Sequence, residues 1–358
     1  MNPWHELRLF RVTLLALAAL AGAGCKRGAS GGAAQPVSEV RIGYFANVTH
    51  AQAVLGVASG DFARAVAPAK LNTKVFNAGP SLIEALLADQ IDIGYVGPGP
   101  VVNIQARSQG KAVRVIAAAA SNGVVIVARK DAGISRLEDL KGRRLATPQH
   151  GNTQDIAARH YLTAVLHQSD DSNIVPINNA EQAGMMSRGQ IDASWAPEPW
   201  GSRLIAQANA IAIGEEKDLW PGGEFNITVV ATTPRFLADH PEVVEKVLRV
   251  HRDWTHKLQQ QPQAHLGELD DALFALTNGH LPSGVLASAL GRVKFTDEPL
   301  PDTLRTLADW TYDVKLIQEP VKLDGLVDTS ILKRLDAPPP ATSPSKETAD
   351  AADGLDSR

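Results

Sequence analysis

The sequence predicts an α/β protein made of two related lobes. Two observations carry that prediction. Residues 79–100 open on a turn and cap, Gly79-Pro80-Ser81, and continue with Leu82, Ile83, Leu86 and Leu87 at helical spacing. A short strand over 91–96 follows and breaks at Gly97-Pro98-Gly99-Pro100. The phrase then returns: Gln90-Ile91-Asp92-Ile93-Gly94-Tyr95 is echoed by Gln190-Ile191-Asp192-Ala193-Ser194-Trp195, and the Gly/Pro loop by Pro197-Glu198-Pro199-Trp200. Each copy aims a strand end and a helix start at one place, where open α/β sheets hold their ligands.

Bulk properties agree with two domains. A chain of 358 residues, 44% hydrophobic and 21% charged, can bury two cores. A net charge of −4 gives no electrostatic case for nucleic acid. The single cysteine, Cys25, excludes an internal disulfide and a cysteine-based metal cluster.

In chain order, Arg8 and Arg11 precede an apolar run over 12–20 and the small residues Ala21-Gly22-Ala23-Gly24. A basic start, a short apolar stretch and small residues before a cut predict a signal peptide over 1–24. The cysteine that follows resembles a bacterial lipobox, with Leu20 present but Gly22 where that motif usually carries Leu. Cys25 is therefore expected to be lipidated, at the head of a flexible tether over 25–38. A first strand over 40–45 leads through Asn47, Thr49 and His50 into a helix over 51–58, and a second strand covers 71–76. Buried-type strands over 113–119 and 124–128 flank Ser121-Asn122-Gly123. Residues 135–138 read as a capping box, and the strand 144–146 feeds Gly151-Asn152-Thr153 and a helix over 154–166. A strand over 173–177 and a helix over 180–188 lead to the second copy of the phrase. After it come a helix to about 208, strands over 210–213 and 225–231, and a long helix from His240-Pro241-Glu242 toward 260 with His251 on its apolar side. Helical patterns over 264–278 and 304–315 follow, and the Pro/Ala/Ser/Thr-rich, acidic tail over 336–358 cannot bury enough apolar surface to fold.

Asn77–Ser81 with Ile91–Tyr95, Leu137-Glu138-Asp139-Leu140-Lys141-Gly142-Arg143, and Ile191–Trp200 resemble the nitrate/sulfonate/taurine group of substrate-binding proteins of bacterial ABC importers. The likeness runs in order from about residue 40 to 335. It implies a type II periplasmic-binding-protein fold: α/β, two-lobed, with mixed sheets, flanking helices and a two-strand hinge. The lobes would be 39–128 plus 230–335, and 129–229, with strands 124–128 and 225–231 crossing between them. The resemblance further implies a monomer that binds a small anionic solute and meets ABC permease and ATPase subunits, tied to a membrane through lipid on Cys25.

A small oxyanion is well served by backbone N–H groups at helix starts, which avoid burying a cationic side chain. Four loops supply such starts: Asn47-Val48-Thr49-His50, Gly79-Pro80-Ser81, Gly97-Pro98-Gly99 and Gly151-Asn152-Thr153, with Asn122 a fifth contributor. Trp195 is a candidate apolar wall, and Glu198 a candidate partner for a ligand ammonium such as taurine's. The alternative ligand is a thiamine-precursor pyrimidine or another heterocycle, which needs aromatic walls from a chain only 5% aromatic. No Gly-x-Ser-x-Gly, His-Glu-x-x-His or phosphate-loop motif suggests an enzyme, and no cofactor is expected. His150/His160 and His251/His256 lack the spacing of a metal site.

Overall fold

Short apolar strands alternate with amphipathic helices, and the chain resolves into two mixed sheets. The computed structural model describes residues 37–282 and 284–336. The expected signal peptide, Cys25, all but the end of the tether, and the tail beyond residue 336 lie outside the described residues.

The first lobe begins with β1 (Glu39–Phe45), a 3-10 turn over Val48–His50, α1 (Ala51–Ala58), α2 (Asp61–Val66) and β2 (Lys70–Phe76). It continues with α3 (Gly79–Leu87), β3 (Ile93–Val96), α4 (Pro98–Arg107) and β4 (Arg114–Asn122). The second lobe holds β5 (Val124–Arg129), β6 (Leu145–Thr147), α5 (Thr153–His160), β7 (Ile174–Pro176) and α6 (Asn179–Ser187). It closes with β8 (Ala193–Pro197), α7 (Trp200–Gln207) and β9 (Ala210–Glu215). The chain then returns through β10 (Asn226–Thr232), α8 (Pro234–Asp239), α9 (Pro241–Gln260), α10 (Leu266–Thr277), α11 (Val285–Leu290), β11 (Val293–Phe295), α12 (Pro301–Asp313) and α13 (Ser330–Arg334).

The first sheet has the order β11-β4-β10-β3-β1-β2 and the second β7-β6-β8-β5-β9. In each, three parallel strands meet an antiparallel strand delivered from the other half of the chain: β10 beside β3, and β5 beside β8. The doubled phrase thus occupies equivalent places, β3 and β8. Its aspartates explain why. Asp92 accepts from the backbone N–H of Arg41 at 2.8 Å and from its Nε at 3.0 Å, clamping the start of β3 to β1. Asp192 accepts from the N–H of Arg144 at 3.1 Å and its Nε at 3.0 Å, clamping β8 to β6. Hydrogen bonds from Arg144 hold the Asp192 carboxyl down at about 2.

The crossing points differ from expectation. Val124–Arg129 lies wholly in the second sheet and Asn226–Thr232 wholly in the first. The change of lobe comes instead at Gly123 and along residues 216–225. Asn122 (φ 61°) and Gly123 (φ 74°) both take left-handed backbone, which turns the chain sharply enough to leave one sheet and enter the other. Their neighbour across the hinge is Phe225: the N–H of Asn122 donates to its carbonyl (3.0 Å), and its N–H donates to Asn122 Oδ1 (3.3 Å). Two local differences are smaller. The helix after Thr153 ends as a π-helical turn over Tyr161–Val165, and the expected capping box at 135–138 closes instead on Asp139, which accepts from the N–H of Ser135 at 3.0 Å.

Candidate functional site

The helix starts named from the sequence converge where the lobes face one another. α3 starts from Ala78 and α4 from Gly97, neither with a side-chain cap. α5 starts from Asn152, whose Oδ1 accepts from the N–H of Asp155 at 2.8 Å. α6 starts at Asn179. With the turn over Val48–His50 they surround a cavity of about 30 Å³. That is room for about two water-sized groups.

The lobes are in direct contact around it. The N–H of Gly99 on α4 donates to Thr153 Oγ1 on α5 at 3.1 Å, and Asn103 Nδ2 donates to the carbonyl of Gly151 at 3.2 Å. On the other side Trp200 Nε1 donates to Asn47 Oδ1 at 2.7 Å. Gly99 must be glycine for this approach, because a Cβ there would lie 2.9 Å from the backbone nitrogen of Thr153. The two lobes thus touch across the cleft through three hydrogen bonds.

Its lining is neutral. Asn47, Thr49, His50, Gly79, Gly97, Asn152 and Thr153, all named from the sequence, line the cavity. Burial pushes the His50 imidazole down to about 3, so the ring is uncharged at physiological pH. Its Nδ1 accepts from the N–H of Phe45 at 3.4 Å, which leaves the proton on Nε2 as a neutral donor. No lysine, arginine, aspartate or glutamate is among the lining residues.

The other expected residues lie elsewhere, each for a physical reason. Pro80 and Ser81 sit one step into α3, and the Ser81 hydroxyl turns back to the carbonyl of Ala78 (3.0 Å). Pro98 and Gly99 belong to α4 and to the lobe contact rather than to the lining. Gly151 (φ 74°) supports the turn from behind, donating to Asp155 Oδ2 at 2.8 Å. Asn122 braces the hinge. Trp195 is fully buried beneath the site, its Nε1 donating to Glu216 at 2.6 Å, so it offers no wall to a ligand. Glu198 is also fully buried, but it faces α7: it accepts from the N–H of Ser202 at 3.1 Å and pairs with Arg292 at 3.2 Å. The cation expected from a ligand is supplied by the chain itself. Among the described residues no group of three or more His, Cys, Asp or Glu is placed to hold a metal ion.

Residues 33–267, more than half of the chain, match the NMT1-like family. The chain belongs to that family. The taurine-binding periplasmic protein of Escherichia coli (strain K12) is 27% identical over 182 residues, 49% of this chain and 54% of that protein. The putative aliphatic sulfonates-binding protein of the same strain is 26% identical over 262 residues, 71% of this chain and 77% of that protein. The chain spans about half the length (54%) of most curated relatives it matches. Among solved structures, the alkanesulfonate-binding protein SsuA from Xanthomonas axonopodis pv. citri, bound to MOPS, superposes with a TM-score of 0.68 at 21% identity, covering 81% of this chain and 98% of that one. The NMT1-like chain thus has the type II periplasmic-binding-protein fold that its two equivalent sheets display.

Sequence reasoning missed several residues that line this cavity: Phe45, Asn77, Pro148, Gln154, Asn179 and Thr228 among them. Gln154 directly follows the predicted cap and was within reach of the same helix-start argument. Thr228 was not, because it sits mid-strand in β10 and is turned by an irregular pairing: the register with β4 shifts on both sides of it. Such bulges re-aim side chains beside functional sites.

Proposed function

We propose that this chain is the extracytoplasmic solute-binding component of an ABC importer, capturing a small anion of the sulfonate or nitrate class between its lobes. One observation carries the reading: an uncharged cavity ringed by helix starts, hydroxyls and amides, bridged by hydrogen bonds between the lobes. Helix N-termini bring fractional positive charge without the desolvation cost of a buried cation, so they hold an anion and still release it. Opening about Gly123 and residues 216–225 would admit the solute; closure brings Thr153 to Gly99 and Trp200 to Asn47. The names of the taurine and sulfonate relatives support the same class.

The proposal includes export by the leader over 1–24, anchorage by lipid on Cys25 and delivery to permease and ATPase partners by a monomer. A heterocycle finds less support. The cavity's two rings, Phe45 and His50, pack on one another at 4.3 Å and leave no facing pair to hold an aromatic ring between them.

Thermal shift with nitrate, methanesulfonate, ethanesulfonate, taurine and hydroxymethylpyrimidine tests the reading. A true ligand at about a hundred times its Kd adds about 2.7 kcal/mol to stability. A shift with the pyrimidine alone would overturn it. Replacing Cys25 by Ser moves the protein from the membrane fraction to the soluble one if the anchorage is as proposed.

A further inference from the structure

Two buried side chains in the cavity each carry a polar atom with no partner. Gln154 is 4% exposed and its Nε2 is unbonded; Thr228 is fully buried and its Oγ1 is unbonded. Both line the same cavity, Gln154 from the second lobe and Thr228 from the first. A buried polar group without a partner is costly, so an arrangement that keeps two of them facing one space calls for an explanation.

The orientation of the Gln154 amide is fixed by a chain of bonds that begins at the backbone. The N–H of Asp155 can only donate, so it sets Asn152 Oδ1 toward itself (2.8 Å). That leaves Asn152 Nδ2 to donate to Gln154 Oε1 (3.0 Å). The NH₂ end of Gln154 is then the free end, a double donor. Asp155 is itself held, accepting from Gly151, from Thr147 Oγ1 (2.9 Å) and from Arg159 Nε (2.8 Å). The polarity of the free group is therefore built in rather than adjustable.

We propose that Gln154 and Thr228 select the ligand, and that together they admit a compact monoanion presenting oxygen acceptors and no ammonium group. This rests on the solute-binding reading above and narrows it. The free donors call for acceptors. With no lining cation, only helix starts and neutral donors are there to offset desolvation, which favours one negative charge over two. An ammonium would find no carboxylate: Glu198 is bonded to Ser202 and Arg292, and Asp155 to Arg159. A cavity of about 30 Å³ leaves no room for a long organic tail. Nitrate and methanesulfonate fit this description; taurine and sulfate do not.

The test is isothermal titration of the purified full chain, and of Gln154→Glu and Thr228→Val, with nitrate, methanesulfonate, taurine and sulfate. Thr228→Val keeps the shape and β-preference of the side chain, so it folds even where the glutamate disturbs the loop. The wild type should bind nitrate or methanesulfonate at least ~100-fold more tightly than taurine or sulfate. Gln154→Glu should weaken that binding by ~100-fold or more, and Thr228→Val by roughly tenfold, the range of a lost hydrogen bond to a charged group. Tight binding with neither variant affected would overturn the selection by these residues and leave the solute-binding reading standing. Taurine or sulfate bound as tightly as methanesulfonate would overturn the ammonium-free monoanion. A wild type that binds none of the four would sink the anion reading itself.

Discussion

The two copies of the repeated phrase make the same scaffold and different ends. In both, the aspartate clamps its strand to an arginine at the neighbouring parallel strand, Asp92 to Arg41 and Asp192 to Arg144. In both, the following aromatic is buried and its polar tip is tied to a buried titratable group. Tyr95 meets His251 Nδ1 at 3.1 Å, and Trp195 meets Glu216 at 2.6 Å. Beyond the strands they part. Gly97–Pro100 leads to the Gly99–Thr153 contact that bridges the cleft, whereas Pro197–Trp200 turns Glu198 inward to cap α7 and bind Arg292. The repetition marks what holds each lobe together. The difference marks what each lobe does for the other.

Removing the divergent part of the second copy should cost most. Glu198→Ala leaves the Arg292 guanidinium without one of its carboxylates and the start of α7 uncapped. A loss of about 3 kcal/mol is expected, at the low end for breaking a buried pair because Arg292 is partly exposed. Urea denaturation measures it, and an unchanged midpoint would show the pair to be incidental.

The buried partners of the two aromatics separate the lobes by the sign of their pH dependence. Burial raises Glu216 to about 7, so the folded state binds its proton in a range where the unfolded chain has lost it, and stability falls as pH rises from about 5 to 7. Burial lowers His251 to about 4, so the unfolded chain binds more protons below 6.5, and stability rises over the same range. Each amounts to about 2 kcal/mol between pH 5 and 7, in opposite directions. Buried His50, lowered to about 3, adds a second rise of similar size, so the wild type should gain about 2 kcal/mol from pH 5 to 7, Glu216→Gln should gain more, and His251→Gln should be nearly flat. Melting curves across that range would contradict the assignment if the two variants had the same slope.

The shared clamps should be graded by exposure. Asp92→Ala is expected to cost about 2 kcal/mol and Asp192→Ala about 1, since the Arg144 side chain is 49% exposed and that of Arg41 30%. Equal costs would argue against the screening account. The smallest effect on stability, within about 1 kcal/mol, is expected for Gly99→Ala. Its methyl group strikes Thr153 across the cleft, so it should hold the lobes apart and weaken ligand binding while leaving each lobe folded. Small-angle scattering with and without ligand reads that directly, and full compaction in the variant would refute the role given to Gly99.

How far the site was legible follows from the kind of residue involved. Asn47, Thr49, His50, Gly79, Gly97, Asn152 and Thr153 were readable because turn and cap chemistry is local: a glycine or a small polar residue before a helix has few other uses. Glu198 and Trp195 misled the reading because side-chain direction is a tertiary matter. The local pattern shows a carboxylate and an indole beside a strand end; only packing decides that Arg292 and Glu216 meet them first. Thr228 carried no local signal, since its exposure to the cleft comes from a pairing irregularity between strands over a hundred residues apart in sequence.

The sequence by itself determined the two-lobed α/β plan, the equivalence of β3 and β8, and the helix starts that form the cleft. These rest on periodicity, turn residues and short-range capping, which act within a few residues of each other. Tertiary structure decided where the chain changes lobes, which carboxylates are already paired, and which polar groups remain free in the cavity. Those outcomes depend on which distant groups come within hydrogen-bond reach after the lobes pack, a distance condition that no local pattern contains.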